Sequence, residues 1–229
     1  TDVEALADWA TKKKIDLTVV GPEGPLAAGI VDRFQELGLP IFGPTQAAAR
    51  IESSKAYAKE LLRKASIPTA EHRTFSEQEE AEEWVHKQGA PIVVKASGLA
   101  AGKGAVVCMT VEEALHAIRS ILGDMAFGEA GEEIVIEEFM EGEEISVFAI
   151  CDGTDFVLLP PSQDHKRVGE GDTGLNTGGM GAYAPVSIAT PEVMEEAAAK
   201  VIAPTLAALA GDGAPFRGLL YAGLMKTNE

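Results

Sequence analysis

Apolar and polar positions along this chain change period several times, and the changes mark out its elements. The first fifty residues read as a helix to about Lys14, a strand over "IDLTVV", a turn at "GPEGP", a helix over "LAAGIVDRFQEL" closed by Gly38, and a strand over "LPIFG". That alternation predicts part of a parallel, Rossmann-like sheet. "GPEGPL" does not match G-x-G-x-x-G, so no dinucleotide site is read there. "SSKAYAKELLRKASI" predicts a helix capped by Ser53 or Ser54, with Tyr57, Leu61 and Leu62 on its apolar side and Lys55 in its first turn. Two later helices share one grammar. "SEQEEAEEWVHKQG" offers Ser76 and Glu79 as a capping box with Gly89 past its end, and "TVEEALHAIRSILG" offers Thr110 and Glu113 with Gly123 as its stop. Between them lie a strand "PIVVKAS", a glycine loop and a strand "AVVCM", a β-loop-β unit.

From Glu133 the period becomes two, predicting strands over "EIVIEEFM", "ISVFAICDG" and "FVLLP", with Asp152-Gly153 turning between the last two. A long loop rich in Gly, Asp and Asn is expected to run to about Pro185. A helix over "PEVMEEAAAKVIAPTLAALAG" follows, with Thr190 as cap, Pro191 at its first position and a kink at Pro204; the strand "GLLYAGLM" comes after it. At 229 residues, 46% hydrophobic and 24% charged, the chain reads as globular with more than one lobe. A formal net charge of -17 argues against a protein that coats nucleic acid, which needs a broad basic face. It leaves room for a small anionic ligand held by a few focused cations. Cys108 and Cys151 each lie in an apolar run and read as buried free thiols. A reducing cytoplasm, which fits free thiols, is the expected location; no apolar run approaches the roughly 18 residues of a membrane span, and "TDVEALADWA" carries no signal pattern.

Three stretches carry candidate chemistry. "KASGLAAGKGAVV" places Lys95 at a strand end and Lys103 in a loop whose glycines let backbone N–H groups approach a ligand, which suits a phosphate. An ordinary hairpin with solvated lysines is the competing reading. The loop is not a P-loop: three residues rather than four separate Gly98 from Gly102-Lys103, Gly104 stands where Ser or Thr is needed, and a strand follows in place of a helix. Lys55, awkwardly placed for the helix dipole, is a second candidate ammonium. In "VIEEFMEGEEISV" a glutamate ending one strand and another opening the next can accept hydrogen bonds from an adenine amino group and ribose hydroxyls, or form a solvated acidic edge. Alternation puts Glu144 and Ser146 on one face and Ile145 and Val147 on the other. "SQDHKRVGEGDTGLNTGGMGAY" supplies His165, Lys166 and Arg167, with backbone amides around Gly178 to Gly181 as a candidate anion nest.

Together with "VVGPE", "FGP", "SSKAYAKELL", "IPTAEHRTF" and "GLLYAGLM", these stretches resemble the ATP-grasp enzymes, and among them the ligases of purine synthesis that join glycine to 5-phosphoribosylamine. The resemblance implies an α/β and α+β chain: a partial pre-ATP-grasp, Rossmann-like portion over 1–50, a linking helix over 51–72, a small lobe with the glycine loop over 73–138 and a truncated large lobe over 139–229. It implies that Lys55 and Lys95 hold ATP phosphates and that the loop with Gly98, Gly102, Lys103 and Gly104 covers them. Glu137, Phe139 and Glu144 would seat adenine and ribose, and His165, Lys166, Asn176, Gly178 and Met180 would face phosphoribosylamine. ATP with Mg2+ or Mn2+ is the implied cofactor set, small molecules the implied partners. Ser97 stands where the family usually has Asp, Gly24 and Ser53 are unusual in their motifs, and Leu175 replaces a common Pro. Neither the family's "GGRE" loop nor its metal-bearing "EFNxRFGDPE" segment occurs in the 229 residues, so metal ligands are expected beyond Glu229 and the chain alone is expected to be inactive. Another ATP-grasp carboxylate-amine ligase, or a nucleotide-binding module without catalysis, remain as rival readings at this stage.

Overall fold

In the computed structural model the chain is described over residues 1–100, 103–171 and 173–227, the side chains of Leu175 and Asn176 excepted. The N-terminal part holds helix α1 (Val3–Lys13), strand β1 (Thr18–Val19), helices α2 (Glu23–Ala27) and α3 (Ile30–Glu36) and strand β2 (Ile41–Phe42). β1 and β2 pair in parallel, Thr18 with Ile41 and Val19 with Phe42. Ala7 and Ala10 of α1 pack with Ile30, Val31 and Phe34 of α3 in a small core beside them. The Rossmann-like start is therefore present with strands shorter than expected. The predicted turn at "GPEGP" is instead the first turn of α2, and the helix expected over "LAAGIVDRFQEL" is divided at Gly29, which is left-handed at φ 80°.

Helix α4 (Gln46–Ser53), capped by Thr45, leads directly into α5 (Lys55–Lys64), capped by Ser54. A four-stranded antiparallel sheet follows from β3 (His72–Phe75), β4 (Ile92–Ala96), β5 (Ala105–Cys108) and β6 (Ile134–Glu138), in the order β3-β6-β4-β5. Helices α6 (Gln78–Gln88) and α7 (Val111–Ile118) cover one face, where Val85, Val94, Ile118, Ile134 and Ile136 form the core. Period-two alternation in β4 buries Ile92, Val94 and Ala96 against those helices and turns Lys95 to the opposite face. Thr110 and Glu113 form the expected box at α7, but Ser76 and Glu79 do not: α6 begins later, with Glu77 as its N-cap residue and no side-chain cap bond.

A second antiparallel sheet joins β7 (Glu143–Asp152), β8 (Phe156–Leu158) and β11 (Arg217–Lys226) in the order β11-β7-β8. Helices α8 (Pro191–Ala197) and α9 (Ala203–Gly211) pack behind it, α8 through Ala197 and α9 through Leu206 and Leu209, with Ile202 between them. A π-helical turn, Ala198–Ile202, lies directly ahead of Pro204, where the kink is expected. Gly218 of β11, at φ 152°, brings this sheet against the N-terminal part: a Cβ there would stand 2.8 Å from Pro44 Cδ, so the approach needs glycine. The long loop expected before Pro185 is a correction. It is an antiparallel ribbon, β9 (Gln163–Gly169) with β10 (Thr173–Tyr183), whose register shifts between Asn176 and Gly181. No helix among the described residues is long and apolar enough to cross a membrane.

Candidate nucleotide site

The face of the four-stranded sheet turned away from α6 and α7 carries the first cluster. The β4–β6 register sets Val93 opposite Glu137 and Lys95 opposite Val135, so Lys95 and Glu137 are diagonal neighbours on one face. Their side chains meet at 2.8 Å, Nζ to Oε2. Lys59 of α5 approaches the other oxygen, Oε1, at 3.4 Å. Glu137 is 5% exposed and Lys59 8%, so the carboxylate and one of its two ammonium partners are buried, while Lys95 is half-buried. Lys55 joins them from the first residue of α5, donating from Nζ to the Gly98 carbonyl at 3.1 Å.

Burial pushes the pKa of Lys55 below the ordinary lysine value; Glu52 opposes this and the like charge of Lys95 adds to it. Burial likewise lowers Lys59, against the attraction of Glu137. Three ammonium groups thus share one neighbourhood in a chain of net charge -17. Glu137 and Glu52 meet part of this charge, and the arrangement can accommodate a further anion.

The glycine hairpin is fixed at its base. Ala96 donates to the Gly104 carbonyl, Ser97 to Glu133 and Gly98 to Ala130, at 2.8, 2.8 and 2.9 Å. A Cβ on Gly98 would come within 2.5 Å of the Ala130 Cα, so only glycine permits this packing. Ser97, which replaces the usual acid, has a definite place: its Oγ accepts from the Ala56 N–H at 3.1 Å and its carbonyl from the Lys55 N–H at 2.8 Å. With Ser54 accepting from Tyr57, the opening N–H groups of α5 are taken by protein acceptors, and α5 is locked to the end of β4. Lys103 is exposed; Gly102 lies outside the described residues.

The second cluster begins across a short linker, 139–142, in which Phe139 is half-buried. Glu144, near the start of β7, pairs with Lys166 of β9. Burial alone would lower the Lys166 pKa, but the bond to Glu144 and the charges of Tyr221 and Asp164 outweigh it and the pKa is raised. His165 stacks on Tyr183 with ring centroids 5.9 Å apart, and Thr177 bonds the Lys166 carbonyl at 2.8 Å. Gly178 and Met180 are exposed on β10; the Asn176 side chain lies outside the described residues. The structure therefore gathers Lys55, Lys95, Gly98 and Glu137 in one group and Glu144 and Lys166 in another. Lys59, missed from sequence, belongs with the first; its spacing of four from Lys55 on one helix was the available signal. Among the described residues no group of three or more His, Cys, Asp or Glu side chains is placed to hold a metal ion.

Known proteins share both the sequence and the fold of this chain. The phosphoribosylamine–glycine ligases of Vibrio vulnificus (strain YJ016) and Escherichia coli O6:H1 (strain CFT073) are 55% and 53% identical over 224 and 225 residues, 98% of this chain in each case and 52% of each relative. The chain thus spans about half the length of the curated relatives it matches. The crystal structure of the Thermotoga maritima phosphoribosylamine–glycine ligase superposes with a TM-score of 0.81 at 34% identity, covering 97% of this chain and 55% of that one. A Bacillus anthracis D-alanine–D-alanine ligase complexed with ATP shares the fold at 22% identity and a TM-score of 0.68, over 100% of this chain and 69% of that one. The family model for the phosphoribosylglycinamide synthetase N domain matches residues 1–52, and that for the ATP-grasp (A) domain of the same enzyme matches residues 53–229. The chain belongs to the phosphoribosylglycinamide synthetase family, with an ATP-grasp fold behind a Rossmann-like start.

Proposed function

We propose that these residues form the ATP-holding part of a cytoplasmic ligase that joins glycine to 5-phosphoribosylamine in purine synthesis. The observation that carries the reading is the gathering of Lys55, Lys59 and Lys95 beside the Glu137 carboxylate, next to a glycine hairpin in a strongly acidic chain. Lys55 and Lys95 receive the ATP phosphates, and the hairpin with Gly98, Gly102, Lys103 and Gly104 lies over them. Glu137, Phe139 and Glu144 receive adenine and ribose. His165, Lys166, Asn176, Gly178 and Met180 face the phosphoribosylamine. The division into portions 1–50, 51–72, 73–138 and 139–229 belongs to the same proposal.

The chemistry asks for positioning and charge stabilisation rather than a protein nucleophile. The glycine carboxylate attacks the γ-phosphorus, the bond to the ADP oxygen breaks, and an acyl phosphate forms. The sugar amine then attacks the acyl carbon, phosphate leaves, and the amine loses a proton. Lys55 and Lys95 meet the negative charge of the phosphates during the first step. Magnesium, or manganese in its place, would neutralise phosphate charge when bound. Among the described residues no three carboxylate, imidazole or thiol side chains are grouped to hold it.

The test is ADP release by the native polypeptide carrying these residues. Release that requires both glycine and 5-phosphoribosylamine is expected. Release driven by another acid and amine overturns the substrate assignment and leaves the ATP site standing; no ATP-dependent turnover with any pair overturns the ligase reading.

A further inference from the structure

The strand motif "GLLYAGLM" has no part in the two clusters described above. Alternation in β11 sends Leu220, Ala222 and Leu224 to the side packed on helices and turns Leu219, Tyr221, Gly223 and Met225 to the opposite, open face of the three-stranded sheet. Tyr221 is 43% exposed there. Its ring meets that of Phe148, directly across on β7, with centroids 5.3 Å apart and an interplanar angle of 41°. From that contact the ring lies along its own strand over Gly223: a Cβ on Gly223 would stand 2.8 Å from the Tyr221 hydroxyl oxygen and 3.3 Å from its Cζ. The missing side chain at 223 is what admits the phenol. Gly223 pairs with Ser146 and Met225 with Glu144, so the hydroxyl reaches toward the part of β7 that carries the Glu144–Lys166 pair. It is near enough to Lys166 for the two groups to interact electrostatically. Among the described residues this hydroxyl has no hydrogen-bond partner.

We propose that the Tyr221 hydroxyl is a substrate contact: beside Lys166, it donates to an anionic oxygen of the substrates that meet ATP, the amino-acid carboxylate or the phosphate of the sugar amine. This rests on the ligase reading and deepens it. The phenol is a neutral donor, so it adds a hydrogen bond to an anion without crowding a second cation against Lys166. Ile150, Val157 and Leu219 are exposed on the same face, which makes the hydroxyl the polar end of an apolar floor. A substrate seated on that floor displaces water and strengthens the bond. Phe148 and Gly223 act through the phenol, the first by bracing its ring and the second by leaving it room.

The experiment is steady-state kinetics of the native polypeptide carrying these residues, with glycine and 5-phosphoribosylamine varied separately, alongside ATP titration and thermal unfolding of each variant. Tyr221→Phe removes the hydroxyl alone. It is expected to lower kcat/KM for one of the two substrates by about tenfold or more, chiefly through KM, while ATP affinity changes by less than about twofold. A raised KM for glycine assigns the bond to the carboxylate, and a raised KM for 5-phosphoribosylamine assigns it to the sugar phosphate. Gly223→Ala needs only the far end of the Tyr221 side chain to move, so it is expected to fold, to reproduce the loss, and to add nothing further in a Tyr221→Phe background. A purely structural phenol would shift the melting temperature and leave both KM values alone. Unchanged kinetics in Tyr221→Phe, a loss confined to ATP affinity, or losses that multiply in the double variant overturn this assignment alone. No ATP-dependent turnover by the unmodified polypeptide overturns the ligase reading and this assignment with it.

Discussion

Ser97 links two parts of the site through one hydroxyl. It is 5% exposed and accepts from the Ala56 N–H, so Ser97→Ala leaves a donor near the start of α5 without its partner. That change is expected to destabilise the chain by about 1 kcal/mol in urea unfolding with an unchanged m-value, whereas Ser97→Asp, which restores an acceptor at a helix N-terminus, is expected to cost less. Equal losses from the two would remove Ser97 from the cap. The thiols give a pH prediction. Burial raises Cys108 and Cys151 from 9.0 to about 11, so folding is favoured below the unfolded-state value and that contribution is lost as pH rises through about 11. The unfolding free energy of the unmodified chain relative to a Cys108→Val, Cys151→Val variant is expected to be flat below pH 9 and to fall by about 2 kcal/mol or more per thiol toward pH 11. A difference flat across the whole range contradicts their burial in the folded state. The thiols were legible in sequence because each lies in an apolar run. Lys59 was not, because a lysine among polar helix positions reads as solvated, and only the meeting of α5 with β6 buries it.

Helices α6 and α7 show what a cap motif does and does not fix. Both are preceded by a Ser or Thr with Glu three residues on, yet only Thr110 and Glu113 close a box, because α6 starts one residue later than Ser76 requires and Glu79 falls short of the third position. Thr110→Ala is therefore expected to cost about 1 kcal/mol and Ser76→Ala less than about 0.5 kcal/mol in chemical unfolding. Similar losses at the two positions would mean that α6 uses the Ser76 box in solution. Strands with clean alternation, such as β4 and β7, were legible from period two alone, and that period also placed Lys95 away from the core. The β9–β10 ribbon was not. Its second strand, "TGLNTGGMGAY", has too few apolar positions to alternate, and its pairing comes from backbone register, Gln163 with Tyr183 and Asp164 with Ala182. α4 and β3 were missed for a related reason: three alanines and a four-residue segment carry little periodic signal.

At the scale of the molecule, the four-stranded and three-stranded sheets each keep their own packed helices, and the candidate site lies along the lines where elements meet: α5 against β4 and β6 for the lysines, β9 against β7 for Glu144 and Lys166. The order of elements was legible in the sequence, while the meeting lines depend on contacts between residues far apart in the chain, Lys59 with Glu137 or Glu144 with Lys166, which no local pattern encodes. The central claim is that the lysine cluster under the glycine hairpin binds the phosphates of ATP. Lys95 is held in place by Glu137, whereas Lys103 is exposed on the hairpin, so the two should contribute unequally. The most direct measurement is calorimetric titration of ATP into the unmodified chain, Lys95→Met and Lys103→Met, all shown to be folded. Lys95→Met is expected to lose about 2 kcal/mol of binding free energy, roughly thirtyfold in Kd, and Lys103→Met far less. Equal effects of the two substitutions, or an affinity that Lys95→Met leaves unchanged, would contradict the account.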